Sequence, residues 1–179
     1  MRLVSQSIEG LFLVESERHV DDRGSFYRGF CKREFRDHGV EFEVCQSNVS
    51  INPTRHTLRG FHYQRPPSVE KKIIHVVSGS IFHAVVDMRS GSKTFLQHET
   101  FHLSADGEHG VLVPEGLASA FLTLASDTIV IYQMEGFYDP DRYEGIRYND
   151  PNIAVEWPFE PVLVSQRDLN HADFDRASA

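Results

Sequence analysis

Short apolar runs rich in Val, Ile and Phe recur along the chain, each broken by Gly, Pro, Asn or Asp. They fall at Leu11–Val14, Val44–Ile51, Leu58–Gln64, Lys72–Val77, Ile81–Asp87, Gln97–Leu103, Val111–Val113, Ala118–Leu124 and Thr128–Phe137. Strands this short and this evenly interrupted predict an all-β sandwich or barrel. Ser78-Gly79-Ser80 stands between two of the runs and reads as a tight hairpin turn. A helix fits only Lys32–His38, with Gly39 placed to terminate it, and a stretch within the last fifteen residues. Patterning changes little from end to end, and no repeat, linker or low-complexity segment divides the chain, so residues 1–179 are read as a single domain.

Composition narrows the function. The chain has 179 residues, 40% of them hydrophobic, with 13 Phe and 6 Tyr, which supplies a substantial aromatic core and excludes a disordered chain. With 26 acidic against 18 basic side chains the net charge is −8. Gripping a nucleic acid requires a surplus of Lys and Arg on one face, so a nucleic-acid partner is not expected. An anionic ligand would have to be met by cations gathered locally. The first residues, Met1-Arg2-Leu3-Val4-Ser5-Gln6-Ser7, lack the basic and apolar regions of a signal peptide, and no apolar run reaches the roughly 18 residues of a membrane span. A cytoplasmic protein without a membrane partner is the expectation. Cys31 and Cys45 are too few for a disulfide scaffold, and both are expected to be buried thiols.

Candidate chemistry centres on His62, in the strand Thr57–Gln64. Arg59 and His62 have opposite parity in an ideal strand, but Gly60 between them allows a bulge that changes the facing. Some β-barrels hold iron or manganese on a His-x-His pair, a Glu and a distant His. Here the pair reads His62-Tyr63-Gln64, and Ser119 stands where the distant His would be, so with only Glu70 to help, metal retention would be weak and no metal site is expected. Taken singly, Lys72, Tyr132, Asp168, Arg23 and Arg59 read as ordinary barrel or surface residues, the arginines pairing with Asp21, Asp22 or Glu70.

Six motifs in order change that reading. Asp21-Asp22-Arg23-Gly24-Ser25-Phe26, Gln46-Ser47-Asn48, Leu58–Gln64, Val113-Pro114-Glu115-Gly116, Phe137-Tyr138-Asp139-Pro140, and Tyr148-Asn149-Asp150-Pro151 with Glu156-Trp157-Pro158 resemble the dTDP-4-dehydrorhamnose 3,5-epimerase family from about residue 10 to 170. The resemblance implies a cupin-type double-stranded β-barrel (jelly roll) with few short helices. It implies no metal, no cofactor, a homodimer, and a nucleotide-diphosphate sugar carrying a 4-keto-6-deoxyhexose as substrate. It further implies His62 as general base, Asp168 as its carboxylate partner, Tyr132 as proton donor on the opposite sugar face and Lys72 near the keto oxygen. Arg23 and Arg59 would meet the diphosphate, Gln46 and Asn48 line the pocket, and Phe26 and Tyr138 pack on the base or sugar, with Ser119 and Glu144 also placed near the substrate.

These residue types suit the chemistry. Removing a proton from carbon next to a ketone puts negative charge on the keto oxygen, so a base and a cation must act together. A neutral imidazole can take the proton while a carboxylate on its other nitrogen fixes the tautomer. Inversion then needs a proton from the opposite face, which a phenol can give, and the planar fork of arginine suits a diphosphate. Three positions depart from the family pattern. Ser119 replaces a His, Arg28 stands at a position commonly acidic, and Tyr143 occupies the place of a Glu, with Glu144 beside it. Reintroducing the imidazole by Ser119→His is expected to raise activity or leave it unchanged. Two other readings are a 3,4-ketoisomerase, which would call for a pair of barrel histidines where one is recognised, and a sugar-nucleotide-binding paralogue that has lost catalysis.

Overall fold

In a computed structural model, which describes residues 1–68, 70–107 and 109–175, the chain forms fourteen strands and two short helices. In order these are β1 (Arg2–Ser5), β2 (Phe12–Glu15), β3 (Arg18–Asp21), β4 (Gly24–Tyr27), α1 (Lys32–Asp37), β5 (Gln46–Asn52), β6 (Thr57–Gln64), β7 (Lys71–Ser78), β8 (Ser80–Asp87), β9 (His98–Ser104), β10 (His109–Val113), β11 (Leu117–Thr123), β12 (Thr128–Glu135), β13 (Tyr143–Gly145), β14 (Leu163–Val164) and α2 (Gln166–Leu169). One large sheet has the order β1-β2-β10-β7-β12-β5, the other β13-β6-β11-β8-β9 with β14 added beside β6, and β3-β4 form a separate hairpin. The architecture is the all-β jelly roll expected from the sequence.

Period-2 alternation builds three apolar layers from these strands. Ile74, Val76, Val85, Val111, Val113, Phe121 and Val130 point inward from both sheets and form the central core. Their neighbours point outward. Phe61, Phe82, Ala120 and Leu122 leave the second sheet's far face and are covered by the chain around Ile153, Val155 and Trp157. Ile73 and Leu112 leave the first sheet's far face and are covered by Phe35 of α1 and by Phe42. Central strands buried on both faces carry apolar residues at nearly every position, which is why β8 and β11 read as continuous runs.

All nine runs seen in the sequence are strands, and α1 begins at Lys32 as expected, with Gly39 at φ +75° just beyond it. The second helix expectation is met by α2, and residues 176–179 of that stretch lie outside the described residues. The strands β1, β3, β4, β13 and β14 were not expected. They are two to four residues long, and β3 and β4 are largely exposed, so they carry no apolar alternation to read. The cysteine expectation is corrected. Cys31 is only partly buried, just ahead of α1, and Cys45 is exposed just before β5, the last strand of its sheet. No helix among the described residues is long and apolar enough to cross a membrane.

Candidate functional site

The inward rows of the two sheets change character along the barrel. Where they run apolar they close the core, and beyond Ile74, Phe121 and Tyr132 they turn polar and line a cavity of about 780 Å³. Gln46 and Asn48 come from β5, Arg59 and His62 from β6, Lys72 from β7, Ser119 from β11 and Tyr132 from β12; Tyr138, Tyr143, Arg167 and Asp168 complete the mouth. Arg59, Lys72 and Arg167 stand here against Glu70 and Asp168, so an acidic protein gathers cations at one place.

Arg59 and His62 share the cavity because β6 slips register against β11 between Leu58-Arg59 and His62. Gly60 allows this bulge. It sits at φ +110°, and a Cβ there would lie 2.5 Å from the Ser119 carbonyl oxygen and 2.7 Å from Ala120. Only glycine lets the strands approach so closely.

His62 Nε2 lies 2.8 Å from Asp168 Oδ1, and the Gly60 N–H donates to Asp168 Oδ2 at 3.3 Å. Burial alone would raise the Asp168 pKa, but the bonds from His62, Gly60 and Ser165 outweigh it and hold the carboxyl below its usual range. An ionised carboxylate only accepts, so Nε2 of His62 carries the proton and Nδ1 keeps its lone pair. α2 fixes the acid, since Ser165 caps it by accepting from the Asp168 N–H at 3.0 Å. The Tyr143 ring leans over His62 at 5.1 Å between centroids, with the Arg167 guanidinium 4.7 Å from the Tyr143 ring centre. Burial pushes the Tyr143 phenol up. Across the cavity Lys72 Nζ donates to Glu70 at 2.5 Å, and Tyr132 stands beside Asn48 and Ile74 in the ladder.

Among the sequence-derived candidates, His62, Lys72, Tyr132, Asp168, Gln46, Asn48, Arg59, Ser119 and Tyr138 all line this one cavity. Arg59 is not ion-paired on the surface; it donates to Asn52 at 2.8 Å. Gln46 accepts from the Tyr138 N–H at 2.7 Å, and Asn48 donates to Met134 Sδ. Three candidates are not brought there. Arg23 and Phe26 lie on the β3-β4 hairpin beside a separate depression, and Arg23 is paired with Asp21 at 2.6 Å, as the plainer sequence reading had it. Glu144 points the other way along β13, accepting from Tyr63 and pairing with Arg65, because strand alternation gives the cavity face to Tyr143. Sequence reasoning missed Arg167 and Tyr143 as cavity residues, although Arg167 adjoins Asp168 and Tyr143 adjoins Glu144.

Among the described residues one group, His62, Asp168 and His171, places donor atoms within 4.8 Å of one another. Its first two atoms are only 2.8 Å apart, a hydrogen-bond spacing tighter than the about 3.4 Å edge of a tetrahedron with metal bonds near 2.1 Å. The donor set therefore fits a proton shared between base and acid better than a cation.

A family described as dTDP-4-dehydrorhamnose 3,5-epimerase matches residues 5–176. The chain belongs to that family. It is 34% identical to the dTDP-4-dehydrorhamnose 3,5-epimerase of Methanothermobacter thermautotrophicus over 94% of this chain and 92% of that one. The crystal structure of the Bacillus anthracis dTDP-4-dehydrorhamnose 3,5-epimerase with TDP and PPi bound superposes with a TM-score of 0.93 at 34% identity, covering 97% of this chain and 99% of that one. A 3'-monoepimerase from Streptomyces bikiniensis in complex with dTDP-quinovose has a TM-score of 0.85 at 36% identity, covering 93% of this chain and 84% of that one. As a member of the dTDP-4-dehydrorhamnose 3,5-epimerase family the chain thus has relatives named for two inversions and relatives named for one.

Proposed function

We propose that this protein is an epimerase of a dTDP-linked 4-keto-6-deoxyhexose, inverting C3, or C3 and C5, without a cofactor. The observation that carries the reading is a single cavity that brings together His62 of one sheet, bonded to Asp168 of α2, and Tyr132 and Lys72 of the other sheet. His62 Nδ1 takes the proton from carbon next to the ketone, and Asp168 stabilises the imidazolium that results. Electron density moves to the keto oxygen, where the Lys72 ammonium offsets the charge of the enolate. Tyr132 then delivers a proton to the opposite face, which inverts the centre. Arg59 and Arg167 at the mouth meet the diphosphate with forked hydrogen bonds.

A homodimer completes this reading. The β3-β4 hairpin exposes 75% of Val20 and 68% of Phe26, and edge strand β5 exposes 60% of Val49 and 63% of Ile51. An apolar hairpin and an apolar edge are surfaces that a second copy would cover. Arg23 and Phe26 would then serve the cavity of the other copy, which reconciles their distance from His62 with the family pattern. The cytoplasm, where nucleotide sugars are made, is the compartment this activity requires.

The test is proton NMR of dTDP-4-keto-6-deoxyglucose with metal-stripped protein in heavy water. Loss of both C3 and C5 proton signals with new product signals identifies a 3,5-epimerase, and loss at C3 alone a 3-epimerase. No exchange, with tight dTDP binding retained, would refute catalysis and leave a binding protein.

A further inference from the structure

One titratable side chain of the barrel interior has no part in the scheme above. His83 on β8 is 0% exposed, and its Nε2 lies 2.8 Å from the hydroxyl of Ser119. In the ladder Ser119 pairs with Val85 and Phe121 with His83, so the imidazole and the hydroxyl are diagonal neighbours on the inward face. Ser119 in turn pairs with His62 across β6 and lines the cavity. The second ring nitrogen of His83, Nδ1, is buried without a hydrogen-bond partner among the described residues, and the ring lies tilted against Phe101.

Burial, and then the nearby Lys72 ammonium, push His83 down to about 3, so the ring is neutral and carries a single N–H. Placing that hydrogen on Nδ1 would strand a donor in an apolar surround, whereas placing it on Nε2 strands only a lone pair; unpartnered buried N–H groups are the rarer and costlier defect. Nε2–H therefore donates to Ser119 Oγ. A hydroxyl that accepts from behind has its own hydrogen free to donate forward.

We propose that His83 is a positioning residue that turns the Ser119 hydroxyl into a fixed hydrogen-bond donor aimed into the cavity, at the substrate oxygen that becomes negative beside Lys72. The role rests on the epimerase reading. It explains how this chain works where its relatives' pattern has an imidazole on β11: the imidazole is set one strand behind, and the hydroxyl carries its donor to the substrate. Ser119 adds direction and Lys72 adds charge.

Two measurements test it. The first is nitrogen-15 NMR of the imidazole rings of the unmodified protein, with the His83 signals assigned by their loss in His83→Gln. A neutral Nε2–H tautomer between pH 5 and 8 is expected; an Nδ1–H tautomer, or an imidazolium at pH 6, overturns the proposal whether or not the protein is an epimerase. The second is turnover of dTDP-4-keto-6-deoxyglucose by Ser119→Ala, His83→Leu, the double variant and His83→Gln. Each single apolar variant should lower kcat about 10²-fold with KM changed less than about threefold. The double should be no slower than either single, because the two side chains make one donor. His83→Gln, whose amide can still donate to Ser119, should recover most of the loss. Multiplying losses in the double, or a His83→Leu enzyme within twofold of wild type, overturns it. If His83→Leu fails to fold, the tautomer and His83→Gln decide. A wild-type protein that exchanges nothing would instead refute the epimerase reading, leaving the tautomer to judge His83.

Discussion

Asp168→Asn separates the two jobs of the carboxylate, charge and geometry, with almost no change in shape. Asp168 accepts twice, from His62 Nε2 through Oδ1 at 2.8 Å and from the Gly60 N–H through Oδ2 at 3.3 Å. An amide has one acceptor and one donor end. If its oxygen faces His62, its NH₂ meets the Gly60 N–H, donor against donor. If its oxygen faces Gly60, its NH₂ meets His62 Nε2, which must then accept, and the ring's only proton moves to Nδ1. The second arrangement satisfies every group and destroys the base. An imidazole held in the wrong tautomer costs about 10³- to 10⁴-fold in kcat. KM should move little, because in the proposed scheme the carboxylate bonds the imidazole and not the sugar.

The assay is deuterium exchange into dTDP-4-keto-6-deoxyglucose, with thermal unfolding as the control. Exchange and product formation should fall together, since the base step precedes both. The stability effect has its own sign. Asp168 has a folded pKa below its unfolded one, so its contribution is present above about pH 4 and fades as pH falls through the folded value. The wild-type advantage over Asp168→Asn should therefore shrink in acid. A folded Asp168→Asn protein with kcat within tenfold of wild type would refute the assignment of His62 and Asp168 as the base pair.

Tyr132→Phe should abolish inversion while leaving measurable solvent exchange, because His62 can still remove and return the proton on one face; normal turnover would remove Tyr132 from the donor role. Gly60→Ala should destabilise the fold by several kcal/mol, since its Cβ would meet the Ser119 carbonyl at 2.5 Å on a backbone at φ +110°, and an unchanged urea midpoint would contradict the bulge. His75 is buried against Gly110, and burial pushes its pKa down to about 4. The unfolded chain takes up that proton below about pH 6.5 and the native one only near 4, so stability should fall by about 3 kcal/mol across this window, and His75→Gln should flatten the loss in urea unfolding. Ser119→His, expected from sequence to preserve or raise activity, is now expected to lower it, because the new ring would be driven into His83. Paired with His83→Asp, which gives the new imidazole a carboxylate, it should recover, and full activity in Ser119→His alone would contradict the 2.8 Å contact.

The pattern of the chain revealed what repeats and missed what is local or distant. The nine strands β2 and β5–β12 were legible because each buries apolar residues, and β8 and β11 bury both faces. The hairpin β3-β4 was illegible because it buries almost nothing by itself. The bulge at Gly60 was foreseeable, since a glycine between Arg59 and His62 is the one residue that lets both face inward. His83 was not. It sits in an apolar run, Ile81-Phe82-His83-Ala84-Val85, where a lone histidine reads as core, and its partner Ser119 is thirty-six residues away. Motif reading registered Ser119 as a missing imidazole and had no means of seeing the replacement on the next strand. Glu144 failed for the opposite reason. Neighbours in sequence point to opposite sides of a strand, and a one-residue offset moved the carboxylate to the outer face.

The architecture itself bears on why inversion is the chemistry this barrel supports. Epimerisation needs one group on each face of a flat intermediate, and a base and a donor on the same surface would only return the proton whence it came. Here the cavity lies between two sheets. His62 and Ser119 reach in from β6 and β11 of one, Lys72 and Tyr132 from β7 and β12 of the other, and the polar ends of the inward rows coincide at the mouth. In the proposed scheme a substrate lying between them would present opposite faces to opposite sheets. The proposed base and donor would thereby be separated by the thickness of the ligand, held by two hydrogen-bonded ladders and not by loops. Whether C5 follows C3 then depends on whether the ring can turn in the cavity to offer its second acidic hydrogen to the same His62. Tyr138 and Tyr143 line that cavity in edge-to-face contact at 5.2 Å, and in the proposed scheme they are where single and double inversion should part. Trimming Tyr138 to Ala should raise C5 exchange relative to C3 in the heavy-water experiment, and an unchanged ratio would place the control of ring turning elsewhere.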